Sequence, residues 1–339
     1  MPCLLRSMFG SDGAASRLMQ VSILGPKVWL LVPVCVAISA AGLAATGMDL
    51  KWGSFLKPYA IAAALAGILA FYNIRRPDPI IRSMLEALFF LMVIGPPLAI
   101  MDYPLQALSF PLRDAEFAAI DQAMGFDWMS HLTWLSHSAI ASHLLLAAYQ
   151  SCMLQLAAVV ILLSLTRQFA HLRELLFLFV VTALVVSFFS TVWPAEGAYA
   201  FHKPADALRI LGDKTLGVMH LEPVRALRSG ALHTFDLDHA EGLVTLPSFH
   251  AIFAILLAWC TRARRAIFVP LAIWNALVCV SAVAVGGHFL IDVIGGTAIA
   301  FAAIYVYHAK APKLSTVILG RARALSSRFR AEEALTRRG

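Results

Sequence analysis

The sequence predicts an all-α protein, a polytopic transmembrane helical bundle of about eight spans with an interfacial helical segment and a long extracytoplasmic loop. Three observations predict it. Of 339 residues, 60% are hydrophobic and 14% charged, against roughly 45–50% and about 25% in a soluble domain. Apolar runs of about 20 residues, one hydrocarbon crossing each, recur along the chain. The net charge of +7 is spread by position and gathers in no single patch. This composition excludes a disordered chain, a disulfide-stapled secreted module and an ordinary cytosolic enzyme. No nucleic-acid-binding module is present, because the basic residues follow topology.

The runs are 28–47, 57–74, 83–102, 141–165, 174–193, 243–261, 266–286 and 288–308. The first, at about 20 residues, is too long for a signal-peptide core. Pro247 breaks the start of the sixth. Residues 104–137 hold Asp114, Glu116, Asp121 and Asp127 among aromatic and apolar residues, the pattern of helices lying on the membrane. Residues 194–242 form a polar loop of a length that is usually functional or disordered, and His202, His220, His233 and His239 within it read as solvated. The expected organisation is an N-terminus (1–27), accessory transmembrane helices (28–103), a bundle that carries the chemistry (104–308) and a basic tail (309–339). Cys3, Cys35, Cys152, Cys260 and Cys279 show no ligand spacing and read as core residues.

Positive charge orients the stack. With eight spans, 19 of the 27 Lys and Arg residues fall on the side of the termini and 8 on the other. Both termini are therefore expected in the cytoplasm, with the long loop on the opposite face. Sparse cysteine suits a bacterial inner (plasma) membrane.

Two stretches carry chemistry, and both fall on the face of the long loop. Leu246-Pro247-Ser248-Phe249-His250 opens the sixth run. Gly286-Gly287-His288-Phe289-Leu290-Ile291-Asp292 opens the eighth. His288 and Asp292 are four apart and share one helix face. Asp292 can accept the Nδ1 proton of His288 and leave Nε2 free as nucleophile or base. Pro247 suits a first helical turn and Ser248 a cap, so the amides there could attract an anion such as phosphate. Gly286 and Gly287 leave room for a substrate near the backbone. Two other readings stay open: structural histidines at the interface, and a zinc site from His288, Asp292 and His250.

Pro247-Ser248-Phe249-His250 resembles the Pro-Ser-Gly-His motif of the type 2 phosphatidic acid phosphatase superfamily. The stretch from Ser281 to Asp292 resembles its Ser-Arg-x5-His-x3-Asp motif. The likeness is closest to the inositol phosphorylceramide synthase-like (inositolphosphotransferase) branch, and it covers roughly residues 110–308. Asp121 to Trp128 and Trp193 to Gly197 are further echoes. Three departures stand out: the Lys-x6-Arg-Pro motif is absent, Ala282 stands where the motif has Arg, and Phe249 where it has Gly.

The resemblance implies an integral membrane lipid phosphotransferase working through a phosphohistidine, on a lipid phosphate or phospholipid, without a metal or other cofactor. His288 would be the nucleophile, Asp292 its orienter and His250 the acid and base, with Ser248 and Gly287 binding substrate. The departures fit transfer better than simple hydrolysis, and Lys214, Arg225 and Arg228 would replace the missing basic ligands. The alternatives are a lipid phosphate phosphatase, or a non-enzymatic lipid transporter or binder whose path would be lined by Glu86, Gln150, Gln155 and Asn275.

Overall fold

The computed structural model describes residues 22–204 and 216–309. Three long apolar helices come first: α1 (Pro26–Thr46), α2 (Trp52–Ile74) and α3 (Pro79–Ala107). The Asp78 carboxylate caps α3, accepting from the Ile80 and Ile81 amides at 2.8 and 3.0 Å, with Pro79 at the first helical position. α3 runs past the expected 83–102 because Pro96, Pro97 and Pro104 all stay inside it. Proline is tolerated in a membrane helix where neighbours supply polar partners, and Ser39 of α1 donates to the Pro97 carbonyl at 2.7 Å.

Two short helices follow, α4 (Asp114–Ala123) and α5 (Trp128–Ser136). The run expected over 141–165 is two helices, α6 (Ala139–Gln150) and α7 (Cys152–Leu165), meeting at 54°. Ser151 sits at the break, and its hydroxyl donates back to the Ala148 carbonyl at 2.6 Å, a bond that bends helices. Then come α8 (Phe169–Val192), α9 (Ala198–His202), α10 (Leu221–Arg228), α11 (Phe249–Cys260), α12 (Arg265–Ala284) and α13 (Leu290–Ala309).

The chain is thus an all-α polytopic membrane protein, but its spans differ from the eight expected. Among the described residues six helices are long and apolar enough to cross, and the bent α6–α7 pair makes a seventh. The run expected over 243–261 is helical only from Phe249 to Cys260. Those residues rise about 18 Å against about 30 Å of hydrocarbon, so this helix by itself is too short to cross.

Residues 104–137 are divided among three helices. Residues 104–107 finish α3, while α4 and α5 bury Phe117, Trp128, Leu132, Asp114 and Asp121. The described residues of the 194–242 loop hold regular structure. They carry α9 and α10, and a two-residue strand, β2 (Thr234–Phe235), that pairs in parallel with β1 (Asp49–Leu50), Asp49 opposite Thr234. Phe235 is fully buried there among Met48, Phe55, Ile100, Tyr103, Val224 and Leu227.

The main core lies between α3, α7, α8 and α11 and is made of Leu, Val, Ile and Phe side chains. Two buried carboxylates tie it at the end formed by the C-termini of α11 and α13. Glu174 of α8 accepts from Trp259 Nε1 at 2.8 Å, Arg262 Nη2 at 2.7 Å and His308 Nε2 at 2.8 Å, joining the ends of α11 and α13 to α8. Glu86 accepts from the Ser22 hydroxyl, the Ile23 amide and Trp29 Nε1. Glu86 therefore anchors the start of α1. Gln155 donates to Ser151 and Asn275 to the Leu271 carbonyl, each four residues back, so three of the four polar residues expected along a transport path are hydrogen-bonded within the protein.

Candidate active site

α11 and α13 run side by side with their N-termini at one end of the bundle. Their approach is unusually close at one residue. A Cβ at Gly296 would stand 2.4 Å from the Ser248 carbonyl oxygen. Glycine lets the α11 entry settle against α13, and the Ser248 amide donates to the Asp292 main-chain carbonyl at 2.9 Å. One motif is thereby hydrogen-bonded to the other.

The loop before α13 turns sharply. Gly287 has φ 71°, a left-handed conformation that glycine adopts without strain. The His288 amide donates to the Ala282 carbonyl at 3.1 Å, folding the imidazole back towards the end of α12. His288 Nδ1 lies 3.2 Å from Asp292 Oδ2, and the same oxygen accepts the Phe289 amide at 3.0 Å. The carboxylate can only accept, so the proton sits on Nδ1 and Nε2 keeps its lone pair. Nε2 has no hydrogen-bond partner among the described residues. Asp292 is fully buried, and its Oδ1 has no partner among the described residues.

His250 faces this pair, its ring centroid 6.4 Å from that of His288 at an interplanar angle of 61°. Behind it the Tyr149 ring stacks at 4.0 Å and 20°, fixing the imidazole plane. Neither His250 nitrogen has a hydrogen-bond partner among the described residues. Ser248 does occupy the N-cap position of α11, but its side chain makes no capping bond. Its hydroxyl is buried and has no partner among the described residues, so the expected cap is corrected: the O–H is left for another acceptor. Pro247 precedes the cap and lies outside the first turn.

The room beside Gly287 is not open to a substrate as expected. A side chain there would meet Tyr199 Cδ2 at 2.7 Å and the Gly217 carbonyl at 3.0 Å, so the protein's own loop fills it. The Gly287 carbonyl accepts the Ala198 amide at 2.8 Å, which pins α9 onto the His288 turn. Tyr199 donates to the Ala284 carbonyl at 2.5 Å.

Of the expected basic ligands, Lys214 lies outside the described residues. Arg225 is turned to Glu196, its Nε and Nη2 each 2.7 Å from a carboxylate oxygen. That guanidinium holds the Glu196 carboxyl below the usual carboxylate range. Arg228 donates through Nη2 to the Phe110 carbonyl at 2.9 Å, while Nη1 is buried without a partner among the described residues. Ser281 is buried in α12 and bonds to the Val278 carbonyl of its own helix.

Two acids of the short-helix segment are structural neighbours of the site. Asp121 accepts from the Leu290 and Ile291 amides at 2.7 and 2.9 Å, capping the helix that carries Asp292. Asp114 accepts from the Gly197 and Glu196 amides at 2.8 and 3.1 Å. Burial pushes both carboxyls up from their ordinary range, against the pull of these amides. His220 and His202 also depart from the solvated reading: His220 is buried against the Glu196 carbonyl, and His202 stacks on Trp128 at 5.2 Å. The only advance signal for this group was the density of acids in an otherwise apolar stretch.

Residues 115–306, from the start of α4 to the end of α13, match the family model of the PAP2 superfamily. The match spans more than half of the chain. The chain belongs to the PAP2 superfamily. Membership gives the general class, membrane phosphatase or phosphotransferase acting on lipid phosphates, and puts His250, His288 and Asp292 within the matched region. No curated protein and no solved structure shows a significant match. Among the described residues no three His, Cys, Asp or Glu side chains form a metal-holding group.

Proposed function

We propose that this PAP2 protein is a lipid phosphotransferase of the inositol phosphorylceramide synthase-like kind, moving a phospho-head group to or from a lipid alcohol through a phosphohistidine. The observation that carries the reading is the His288–Asp292 pair with Nε2 unpartnered and His250 opposite it. The phosphoryl group would lie between the two rings, with His288 Nε2 on one side of phosphorus and the leaving oxygen, facing His250, on the other.

In the first half-reaction His288 Nε2 attacks phosphorus, the P–N bond forms and the P–O bond to the leaving alcohol breaks. His250 supplies the proton to the departing oxygen. Asp292 holds the Nδ1 proton and balances the imidazolium that forms. In the second half His250 takes the proton of the acceptor hydroxyl, a new P–O bond forms and the P–N bond breaks. The Ser248 hydroxyl and the first amides of α11 offer donors to the phosphoryl oxygens. Arg228 Nη1 and Lys214 supply positive charge. Gly287 serves by setting the turn that aims His288. The bundle 104–308 is the catalytic unit in this reading, both termini are cytoplasmic, and the site opens on the extracytoplasmic face of a bacterial inner membrane. Arg75, Arg76, Arg167, Arg262, Arg264 and Arg265 lie in the connections at the other end, as the positive-inside rule asks.

With water as acceptor the same residues make a lipid phosphate phosphatase. The missing Lys-x6-Arg-Pro and Ala282 favour transfer. The test is purified protein incubated with membrane lipid extract, products followed by mass spectrometry. Transfer gives a new phospholipid with diacylglycerol, and hydrolysis gives inorganic phosphate. Vanadate should inhibit, and His288→Ala should abolish turnover while the protein stays folded in detergent. Inactivation by chelator with recovery on added zinc would overturn the phosphohistidine scheme in favour of a metal.

A further inference from the structure

His220 belongs to no motif, yet its side chain is buried and hydrogen-bonded within the long loop. It is 8% exposed, and its Nε2 lies 2.8 Å from the Glu196 carbonyl oxygen. A carbonyl only accepts, so Nε2 carries the proton and Nδ1 presents a lone pair. Nδ1 has no hydrogen-bond partner among the described residues and is not among the enclosed polar atoms.

Glu196 itself cannot drift. Asp114 holds its amide, Arg225 its carboxylate and His220 its carbonyl. A methyl group on Gly197 would lie 3.0 Å from the Gly287 carbonyl and 3.9 Å from His220 Nε2. The imidazole therefore stands beside the residue that precedes His288. Burial keeps it below its ordinary range, and the Arg225 charge acts in the same direction, against the Glu196 carbonyl bond and carboxylate. A neutral imidazole with its one proton committed cannot donate to a phosphoryl oxygen. It can only accept.

We propose that His220 is a specificity-determining residue whose Nδ1 accepts a hydrogen bond from a substrate hydroxyl beside His288. The hydroxyl belongs either to the head group of the donor lipid or to the attacking alcohol. The inference rests on the phosphotransfer reading and adds to it a requirement for a hydroxyl donor near the transferred phosphorus. A site built to accept from a hydroxyl discriminates against analogues that lack it.

The test uses the full chain in detergent micelles, with His220→Gln and His220→Ala. A glutamine Nε2 reaches the Glu196 carbonyl but puts no acceptor where Nδ1 was. A merely structural histidine is rescued by Gln; an acceptor is not. The probes are dioleoyl phosphatidylinositol and dioleoyl phosphatidic acid, with and without head-group hydroxyls, each with and without added glycerol. Loss of one uncharged hydrogen bond weakens binding about 2- to 10-fold.

If the hydroxyl is on the head group, H220Q raises KM for phosphatidylinositol by that factor relative to phosphatidic acid. If it is on the attacking alcohol, H220Q lowers the ratio of glycerol phosphate to inorganic phosphate by that factor. Either result supports the proposal. It is overturned if H220Q matches the wild type on both readouts, whatever H220A does. A wild type that turns over neither probe defeats the phosphotransfer reading, and so does a fully active H288A. Phosphatidylinositol binding to H288A, with and without H220Q, then decides His220 separately: twofold or greater weakening supports it, equal affinity overturns it.

Discussion

Gly296→Ala tests whether the two histidine motifs work as one unit. The new Cβ would stand 2.4 Å from the Ser248 carbonyl oxygen and 3.3 Å from Ala251 Cβ. Ordinary contact begins at 3.4 Å, so α11 and α13 must separate by about 1 Å. The obstacle is main chain, and no rotamer change relieves it. The Ser248 amide bond to the Asp292 carbonyl must stretch by the same movement, carrying His250 away from His288. Misplacement of about 1 Å at a reacting centre costs about 10²-fold in rate. Overpacking costs about 1–3 kcal/mol, partly offset by the roughly 1 kcal/mol that alanine gains over glycine in a helix. The expected outcome is therefore a loss of kcat near two orders of magnitude with a small fall in Tm. The assay is turnover of the lipid that product analysis identifies, paired with thermal unfolding in detergent. Gly295→Ala is the control, since its Cβ would meet Pro247 and Leu246 at 3.7 and 3.8 Å, and it should keep wild-type turnover. A Gly296→Ala protein within about threefold of wild-type kcat would refute the coupling.

Three further outcomes are expected. Tyr149→Phe keeps the ring against His250 and should retain kcat, whereas Tyr149→Leu should lower it about tenfold or more by freeing the imidazole plane, at little change in substrate KM. Asp121→Ala removes both acceptors from the Leu290 and Ile291 amides and should cost about 1–3 kcal/mol in unfolding experiments, with Asp121→Asn recovering part; an unchanged Tm for the alanine variant would contradict the capping role. Arg225 lowers the Glu196 carboxyl from its ordinary range, so the pair's contribution is present above that range and is lost as pH falls through the folded-state pKa. Being part-exposed, it is worth no more than about 1 kcal/mol, and the Tm gap between wild type and Glu196→Gln should close below about pH 4.

The family-bearing part of the site was legible because its spacing is short. His288 and Asp292 are four residues apart, and with His288 in the turn before α13 and Asp292 in its first turn, that short separation brings them into the bond seen between them. The spans were legible where apolar length decides, as in α1, α8, α12 and α13. They failed where a single polar residue redirects the chain. Ser151 breaks one run by back-bonding, and the helix after Ser248 is too short to cross. The supporting contacts lie far apart in sequence, and no local pattern announces them. Tyr149 reaches His250, Asp121 reaches Leu290, and His220 reaches Glu196 only after the chain has folded. Asp114 and Asp121 read only as acids of an interfacial segment because their partners are backbone amides, which carry no sequence signature at all. The basic ligands were chosen by proximity in sequence, and Arg225 shows the weakness of that choice, since a carboxylate with no motif had already claimed it.

The parallel pairing of Thr234–Phe235 with Asp49–Leu50 has a consequence for how specificity can vary among related proteins. The residues that grip this part of the loop, Met48, Phe55, Ile100 and Tyr103, precede the region that matches the PAP2 superfamily. The loop that bears His220 is thus braced by helices from outside the shared bundle. Changing those helices could retune what the loop selects while leaving His250, His288 and Asp292 untouched. Diversification at the N-terminal end would then appear as a change of head group, with the phosphorus chemistry inherited intact.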